Sequence, residues 1–409
     1  MCSFSLGMNK ICITFVRSMK KLYLFNPEND MALASGSAYY MAPASAKKMA
    51  ADLATLPMWY AEDESDVWVS DKRQVEWMNT KFPSLLSVRG VTDISTGYKK
   101  ISAWAWSPAL LHRLETYGVA SGAPSFCGRM EIVRALSGRK TAVDLLPKLR
   151  VESTLGESFW LTSVEDVSRF SSLYNKVLLK APWSGSGKGL QPLSGCPDDN
   201  LKGWARRIIA SQGGLVGEPF YDKVVDFAME FLSGSDDVSF VGYSWFEADS
   251  RGIYKENRLA SDEAIEGYLT RFVSLEVLEE IRDLLLQELR ALAGGDYQGY
   301  LGVDMMICRM NGEYLVHPCV EVNWRMNMGV VSRLFYDRFI SEDSQGRYVI
   351  EYYPRGEEAK AFHERMKLSH PLVMEEGRIK EGYLSLTPVF EDTSYQIYVL
   401  IEKKDAKAF

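Results

Sequence analysis

Apolar and polar residues alternate along the first third of the chain in blocks that predict strands and helices in turn. Short apolar runs predict strands at residues 22–25, 66–69 and 100–106. A helix is predicted after Pro43, where apolar residues recur at helical spacing, and another after Ser107 and Pro108, ending at Gly118. Strands that alternate with helices in this way are typical of an α/β unit with a mainly parallel sheet.

A polar loop at residues 26–30 follows the first predicted strand. Open α/β sheets bind ligands beyond the carboxyl ends of their strands, so this loop is a candidate for a substrate site. The alternative is a turn in which Asn29 or Asp30 only caps the following helix.

Longer strands joined by glycine-rich or acidic loops begin near residue 176, which indicates an α+β second half. One long helix interrupts these strands and is expected to end at Gly294 and Gly295. Its apolar side chains recur at helical spacing, and we expect them in the core. They are Leu275, Leu278, Ile281, Leu285, Leu289 and Leu292.

The composition is that of a globular protein, with 409 residues of which 46% are hydrophobic and 25% charged. This length predicts two or three units that share interfaces. We interpret residues 1–18 as a disordered extension or as sequence upstream of a true start at Met19, because an apolar strand follows at once.

The charge balance and the apolar runs exclude several kinds of partner. There are 47 basic and 54 acidic residues, a net charge of −7, and no long basic run, so a nucleic-acid partner is not expected. No stretch is apolar for the roughly 18 residues that a membrane helix needs. The six cysteines form no Cys-x-x-Cys pair, and we expect reduced thiols in a cytoplasmic enzyme that acts on small molecules. No pattern indicates an oligomeric state.

The first segment with recognisable chemistry is a strand that ends at Lys180 and runs into a loop of small residues up to Gly189. Such a loop can bring backbone N–H groups and a cationic side chain against phosphate oxygens. It is not a Walker A loop, because Gly189 rather than Ser or Thr follows Lys188. The alternative is an ordinary glycine-rich hairpin with a solvated lysine.

A second segment, residues 302–323, is more specific. Two apolar runs flank Asn311-Gly312, the strongest short signal for a hairpin. A two-residue turn would pair Met310 with Glu313 and, continuing in register, Asp304 with Cys319.

In that register, the side chains of Asp304, Glu321 and Asn323 project from one face, with the two carboxylates as diagonal neighbours. Neighbouring carboxylates repel each other unless a cation lies between them, and an incomplete set of oxygen ligands suits Mg²⁺, which adds phosphate and water oxygens. The alternative is a solvated acidic face. Pro318 is expected to favour a bulge that would shift this register by one residue.

Between these segments, one strand ends at Glu218-Pro219 and another begins near Asp226. Carboxylates at such points can accept hydrogen bonds from a ribose or an adenine amino group.

Taken in order, these motifs resemble the ATP-grasp superfamily of carboxylate-amine ligases over about residues 137–335. The resemblance rests on Lys180 with the glycine loop, Glu218 with Asp226, Gly302-Val-Asp304, and Glu321-x-Asn323-x-Arg325. It implies an ATP-grasp fold at residues 136–400, with two subdomains and final strands from about residue 380. A small Rossmann-like α/β domain would precede it at residues 19–135.

The resemblance also implies a role for each matching residue. Lys180 would contact the ATP phosphates, and the loop would cover them with Ser184, Gly185, Ser186, Gly187, Lys188 and Gly189. Glu218 would lie near the adenine and Asp226 near the ribose, while Asp304, Glu321 and Asn323 would bind Mg²⁺ or, in its place, Mn²⁺.

At one position two residues match the family pattern equally well, and at another the chain departs from the pattern. The upstream phosphate-binding lysine of the family is matched by Lys140 or by its neighbour Arg139. Many members carry an arginine two residues before the metal aspartate, where this chain has Gly302. The cation that faces the transferring phosphate would then be Arg325, Arg258 or Lys255.

The expected reaction is transfer of the ATP γ-phosphate to a small-molecule or peptide carboxylate, followed by attack of an amine or, as a second choice, a thiol. An ATP-grasp protein that only phosphorylates a substrate or binds nucleotide is the alternative.

Overall fold

A computed structural model describes residues 20–81, 87–94, 98–184, 189–248 and 254–404. The predicted extension at residues 1–18 and the loop residues Gly185, Ser186, Gly187 and Lys188 lie outside the described residues. The residue boundaries of the predicted domains stay a prediction.

The first third of the chain forms a parallel four-stranded sheet, as its alternating pattern predicts. The strands pair in the order β3-β2-β1-β4. They are β1 (Lys21–Leu24), β2 (Asp66–Trp68), β3 (Arg89–Val91) and β4 (Lys100–Ala103). The helices of this part are α1 (Asn29–Ser35), α2 (Ala44–Asp52), α3 (Lys72–Lys81) and α4 (Pro108–Thr116).

The predicted helix signals of this region are present. The Ser107 side chain accepts a hydrogen bond from the Leu110 amide at the start of α4, and Gly118 follows the helix with φ of 70°. The predicted third strand is shorter than expected: it ends at Ala103, and the next residue, Trp104, accepts a hydrogen bond from the Met326 amide at 3.0 Å.

Two short α-helices, α5 (Met130–Leu136) and α6 (Lys140–Leu145), link this sheet to the rest of the chain. Single 3₁₀ turns lie at Leu56–Trp59, Ala120–Gly122, Ser125–Arg129 and Leu146–Leu149.

A small antiparallel sheet follows, with its strands in the order β5-β8-β6-β7. Buried Val167, Phe170 and Ala205 from two helices pack on the sheet residues Val177 and Leu179. The strands are β5 (Phe159–Leu161), β6 (Lys176–Lys180), β7 (Leu190–Ser194) and β8 (Leu215–Pro219), and the helices are α7 (Val164–Leu173) and α8 (Asp199–Gln212).

The second half is dominated by a nine-stranded antiparallel sheet in the order β13-β12-β9-β10-β11-β14-β17-β16-β15. The strands are β9 (Asp222–Ser233), β10 (Val238–Ala248), β11 (Tyr254–Leu259), β12 (Gly299–Met310), β13 (Glu313–Asn323), β14 (Ser344–Tyr352), β15 (Val373–Glu375), β16 (Arg378–Ser385) and β17 (Tyr395–Lys403). The helices are α9 (Asp262–Leu269), α10 (Leu275–Ala293), α11 (Met328–Phe339) and α12 (Gly356–Ser369).

The apolar stripe of α10 lies in the main core, as predicted. Its four central side chains are fully buried, whereas Leu275 at the first turn is 37% exposed and Leu292 is partly buried. The helix ends at Gly294, whose φ of 49° is left-handed. The buried members are Leu278, Ile281, Leu285 and Leu289.

The carboxyl edge of the parallel sheet meets the end of β13. Besides the contact of Trp104 with Met326, the buried Asn26 side chain donates to the Ala105 carbonyl at 2.9 Å and accepts from its amide at 3.3 Å. The loop at residues 26–30 is thereby held beside residues 324–327. No helix in the described part of the chain is long and apolar enough to cross a bilayer.

Candidate active site

The β12–β13 hairpin has the turn that its sequence predicts. Asn311 and Gly312 have φ values of 54° and 89°, and Met310 pairs with Glu313. Both turn residues need positive φ because this type of turn matches the twist of the strands.

The open end of the hairpin has a different register from the predicted one. A bulge beyond Asp304 places that residue directly opposite Glu321, and Gly302 opposite Asn323. The predicted pairing of Asp304 with Cys319 is therefore wrong. Side chains alternate with a period of two, and the paired positions shift by two, so the three polar side chains still share a face.

The bulge lies where β13 contains Pro318, as the sequence suggested. On β12 the pairing shifts between Asp304 and Met306, and on β13 it shifts between His317 and Glu321. Proline has no N–H to donate to the ladder, which is a physical reason for the ladder to break at this point.

The carboxylates of this face are close enough to affect each other. Burial, and then the charge of Glu321, raise the pKa of Asp304 to about 7. Asn323 Nδ2 donates to Asp304 Oδ2 at 3.1 Å, which partly offsets the increase. Because a bound cation would relieve this repulsion, two carboxylates and an amide fit the expected Mg²⁺.

The protein supplies only part of such a coordination shell. Within the ranges that the structure describes, no three His, Cys, Asp or Glu side chains converge as a metal site. Mg²⁺ suits an incomplete set, since it retains water and takes substrate phosphate oxygens.

Arg139, and not Lys140, extends into this site. Its buried guanidinium donates to Ser184 Oγ at 2.6 Å and to Glu321 Oε2 at 2.8 Å. Lys140 Nζ pairs instead with Asp144 one helical turn further on, and both of these side chains are exposed. Successive residues of a helical turn point in different directions, so only one of the two candidate cations faces the site.

Lys180 and Glu218 form a buried ion pair in the small sheet. Lys180 Nζ lies 2.6 Å from Glu218 Oε2, and the two side chains are 5% and 4% exposed. Leu178 is the direct partner of Glu218 across the two strands, so Lys180 is its diagonal neighbour. The two residues that were expected at the phosphates and at the adenine are therefore in contact with each other.

The described ends of the glycine-rich loop close a hairpin between β6 and β7. The Ala181 amide donates to the Gly189 carbonyl at 2.9 Å, and Gly189 has a left-handed φ of 89°. A glycine-rich hairpin was the alternative interpretation of this segment, but that interpretation expected a solvated lysine, and Lys180 is buried. Ser184 at the other end of the loop contacts Arg139.

Arg325 lies at the end of the acidic hairpin and pairs with Asp30. Nε and Nη2 of Arg325 donate to the two carboxylate oxygens of Asp30 at 3.1 and 3.0 Å. Asp30 belongs to the loop that was predicted as a substrate site, so the structure joins that loop to the hairpin. The pair lines a small polar cavity with Glu321, Trp183 and Ser184.

Arg258 is not brought to this site. Its register partner on the neighbouring strand is Trp245. Trp245 lies opposite Phe227 on the next strand, and Phe227 lies opposite Met305 on β12. Directly paired residues share a face and successive residues alternate, so Arg258 and Asp304 project from opposite faces of the sheet. Arg258 donates instead to Glu247 at 3.2 Å, and its prediction as a catalytic residue is not supported. Lys255, the other candidate, is exposed on β11.

Asp226 lies on β9 opposite Met306, on the same face as Asp304. Burial raises the pKa of Asp226, and the nearby Lys223 ammonium partly offsets the increase. Asp226 thus extends the acidic face from β12 onto β9. Its role at a ribose remains a prediction.

The sequence reasoning missed Glu230, a further carboxyl on this face. It is 1% exposed and accepts a hydrogen bond from Asn327 Nδ2 at 2.8 Å. Burial is the main cause that raises the pKa of Glu230 to about 8, and the charge of Asp304 adds to it. The signal available in the sequence was the spacing of four from Asp226, which places both acids on one face of a strand.

Comparisons with known proteins identify the fold. No model of a protein family matches the sequence, and no curated protein matches it either. A biotin carboxylase from Campylobacter jejuni, solved as a β-γ-ATP complex, is 11% identical, with 96% of this chain and 89% of that chain covered and a TM-score of 0.52. An N5-carboxyaminoimidazole ribonucleotide synthetase from Thermus thermophilus is 12% identical, with 95% and 94% covered and a TM-score of 0.50. At these identities the likeness concerns the fold alone.

Proposed function

The chain has the ATP-grasp fold, and from this premise we propose that it is an ATP- and Mg²⁺-dependent ligase. It joins a carboxylate to an amine through an acyl-phosphate intermediate. The amine is favoured over a thiol as the nucleophile.

One observation carries the proposal. The guanidinium of Arg139 contacts both Ser184, at the start of the glycine-rich loop, and Glu321, on the acidic hairpin. The segment expected to bind phosphate and the segment expected to bind a divalent cation therefore meet at one side chain. Phosphoryl transfer depends mainly on bringing these two kinds of group together around the γ-phosphate.

Each part of the site has a role in this proposal. Arg139, Lys180 and the residues 184–189 hold the phosphates, Glu218 lies near the adenine, and Asp226 lies near the ribose. Asp304, Glu321 and Asn323 would hold Mg²⁺, which when bound would neutralise charge on the phosphate oxygens. Arg325 stabilises the transferring group, since its fork of N–H donors matches carboxylate and phosphate oxygens.

The proposed reaction has two steps. A carboxylate oxygen of the substrate attacks the γ-phosphorus of ATP, and the bond from that phosphorus to the ADP oxygen breaks. ADP is the leaving group, and the acyl phosphate stays bound to the protein. The amine nitrogen then attacks the acyl carbon, the bond from this carbon to the phosphate oxygen breaks, and phosphate leaves. The amine proton passes to solvent or to a nearby base, which balances the reaction.

The second candidate is a nucleotide-binding protein or kinase of the same fold without ligase activity. It shares the ATP and Mg²⁺ sites, but ADP release would not depend on an amine. Measuring ADP release with the acid alone and with the acid and amine together separates the two candidates.

The metal site is tested with Asp304→Asn and Glu321→Gln. Wild-type protein at an ATP concentration one hundred times Kd should gain roughly 2.7 kcal/mol of unfolding free energy in the presence of Mg²⁺. Each variant should lose most of the Mg²⁺-dependent part of that gain, measured by thermal unfolding with and without MgCl₂.

The matched control is Asp222→Asn, because Asp222 is an acid of β9, the strand beside β12, but is 59% exposed and pairs with Arg309. It should keep the wild-type gain. A full Mg²⁺-dependent gain in both Asp304→Asn and Glu321→Gln would contradict the metal assignment.

A further inference from the structure

The Asp30–Arg325 ion pair lies where the parallel sheet meets the acidic hairpin. Two N–H groups of Arg325 bind the Asp30 carboxylate, and Nη1 donates to the Met326 carbonyl at 3.3 Å. The two side chains are 20% and 21% exposed. Both line a polar cavity of about 10 Å³ beside Glu321, which has room for about one water molecule, so a larger ligand that bound there would have to open the pair.

Other ion pairs of the described residues also join the first part of the chain to its second half, and two of them provide a comparison. Arg338 pairs with Asp63 at 3.0 Å, and Arg73 pairs with Asp392 at 3.2 Å. Their acids are 71% and 64% exposed, and none of these four residues lines the cavity. The two parts of the chain are therefore also held together by exposed ion pairs away from the cavity. The partly buried position of the Asp30–Arg325 pair is not needed for that contact alone.

The charges around the cavity restrict what can bind there. Among the described residues that line it, Arg325 is the one cation, and Asp30 and Glu321 are acids. Glu321 is already engaged by Arg139. A ligand with a carboxylate alone would take Arg325 from Asp30 and leave the largely buried Asp30 charge without a partner, which is strongly unfavourable.

A ligand that also carries an ammonium group avoids this cost. Its carboxylate would take the place of Asp30 on Arg325, and its ammonium would take the place of Arg325 on Asp30. One ion pair is then replaced by two. Because the two protein groups are in contact in the structure, the two ligand groups must be close to each other, as they are in an α-amino acid.

We propose that the Asp30–Arg325 pair opens to bind an α-amino acid as the carboxylate substrate, with its carboxylate on Arg325 and its ammonium on Asp30. The inference rests on the proposed function, because this carboxylate is the one that receives the γ-phosphoryl group. Asp30 is then a specificity-determining residue contributed by α1 of the N-terminal part of the chain. It selects zwitterions against simple carboxylic acids.

The test uses full-length protein, ATP, Mg²⁺ and hydroxylamine, a nucleophile that converts an acyl phosphate into a hydroxamate. One reaction contains the pooled twenty L-amino acids, and the other contains a pool of the matching acids without the amino group. The amino-acid pool should give at least tenfold more hydroxamate. With the active amino acid, Asp30→Asn should raise the KM for that amino acid at least tenfold and leave the Kd for ATP unchanged. Asp30→Glu, which keeps the carboxylate, should have a KM between those of the wild type and Asp30→Asn.

Asp63→Asn is the matched control, since it removes an ion pair between the same two parts of the chain away from the cavity. It should keep the wild-type KM. Equal hydroxamate from both pools, no hydroxamate from either pool, or a wild-type KM in Asp30→Asn would each overturn the inference. Failure of the proposed function is seen as hydroxamate from neither pool, whereas equal hydroxamate from both pools leaves the ligase function standing and overturns the inference alone. The comparison of the two pools needs no variant, so it holds even if Asp30→Asn does not fold.

Discussion

Glu230 is an acidic residue whose carboxyl lies in an almost fully buried environment. The carboxyl lies between Gly302 and Gly329, where a Cβ atom on either glycine would be 2.3 or 2.1 Å from a Glu230 oxygen. It accepts a hydrogen bond from Asn327 and lies near the charge of Asp304. Burial and a like charge both favour the protonated form, so the acidic face holds one carboxyl that is largely neutral at neutral pH.

This environment predicts that Glu230 makes the protein less stable as the pH rises. The pKa of Glu230 is about 8 in the folded protein and about 4.3 in an unfolded chain. Between these values the folded state binds the extra proton, so the free energy of unfolding falls by up to about 1.4 kcal/mol per pH unit. The stability that this proton provides is complete below the unfolded pKa and is lost as the pH passes through about 8.

Glu230→Gln should reduce that slope, because glutamine keeps the hydrogen-bond acceptor and carries no charge. Urea unfolding at pH 5, 6.5 and 8 measures it. Asp304, with its pKa raised to about 7, contributes a slope of the same sign, so the slope should become smaller and not vanish. A variant with the wild-type slope would show that Glu230 is ionised in the folded state.

At the scale of elements, the packing of β12 against β9 and α11 decides which residue can occupy position 302. Gly302 pairs with Glu230 across the strands, and a Cβ at position 302 would also lie 2.5 Å from Asn327 Nδ2. A larger side chain at position 302, such as the arginine that the resemblance would place there, has no space because Glu230 and Asn327 occupy it.

Gly302→Ala should destabilise the protein by about 1–3 kcal/mol, since the added methyl group has no space without displacing Glu230. Gly267→Ala is the control, because no atom lies within 4 Å of a Cβ built there on α9. That variant should be stabilised by about 0.5–1 kcal/mol through the helical preference of alanine. Urea unfolding of both variants checks the difference, and equal stabilities would refute the packing argument.

At the scale of the whole molecule, Arg139 connects parts of the chain that are far apart in sequence. It contacts residues 45 and 182 positions away, Ser184 and Glu321 respectively. A ligand that bound between the glycine-rich loop and the acidic hairpin would therefore contact the Arg139 guanidinium.

Arg139→Ala should weaken ATP binding about tenfold or more, since hydrogen bonds to a charged group contribute roughly 1.5–3 kcal/mol each. Lys140→Ala, at the adjacent and exposed position, should stay within about twofold of wild type because surface ion pairs contribute little. Isothermal titration with ATP and Mg²⁺ measures both affinities. Similar losses in the two variants would show that Arg139 does not contact the nucleotide.

The sequence by itself determined the features that depend on neighbouring residues. The alternation of the strands, the stripe of α10 and the Asn311-Gly312 turn are local, and a period of two keeps Asp304, Glu321 and Asn323 on one face even after the bulge. The resemblance of the motifs around Lys180, Glu218, Asp304 and Glu321 also implied the ATP-grasp fold, which the comparisons confirm.

Only the tertiary structure decided which side chains meet. It brought Arg139 instead of Lys140 to Glu321, placed Arg258 on the other face of the sheet, and joined Asp30 to Arg325 across 295 residues. These contacts depend on sheet order, bulges and the docking of the parallel sheet on the hairpin. No local pattern encodes them, because hydrogen bonds and ion pairs act over a few ångströms in space, whatever the separation along the chain.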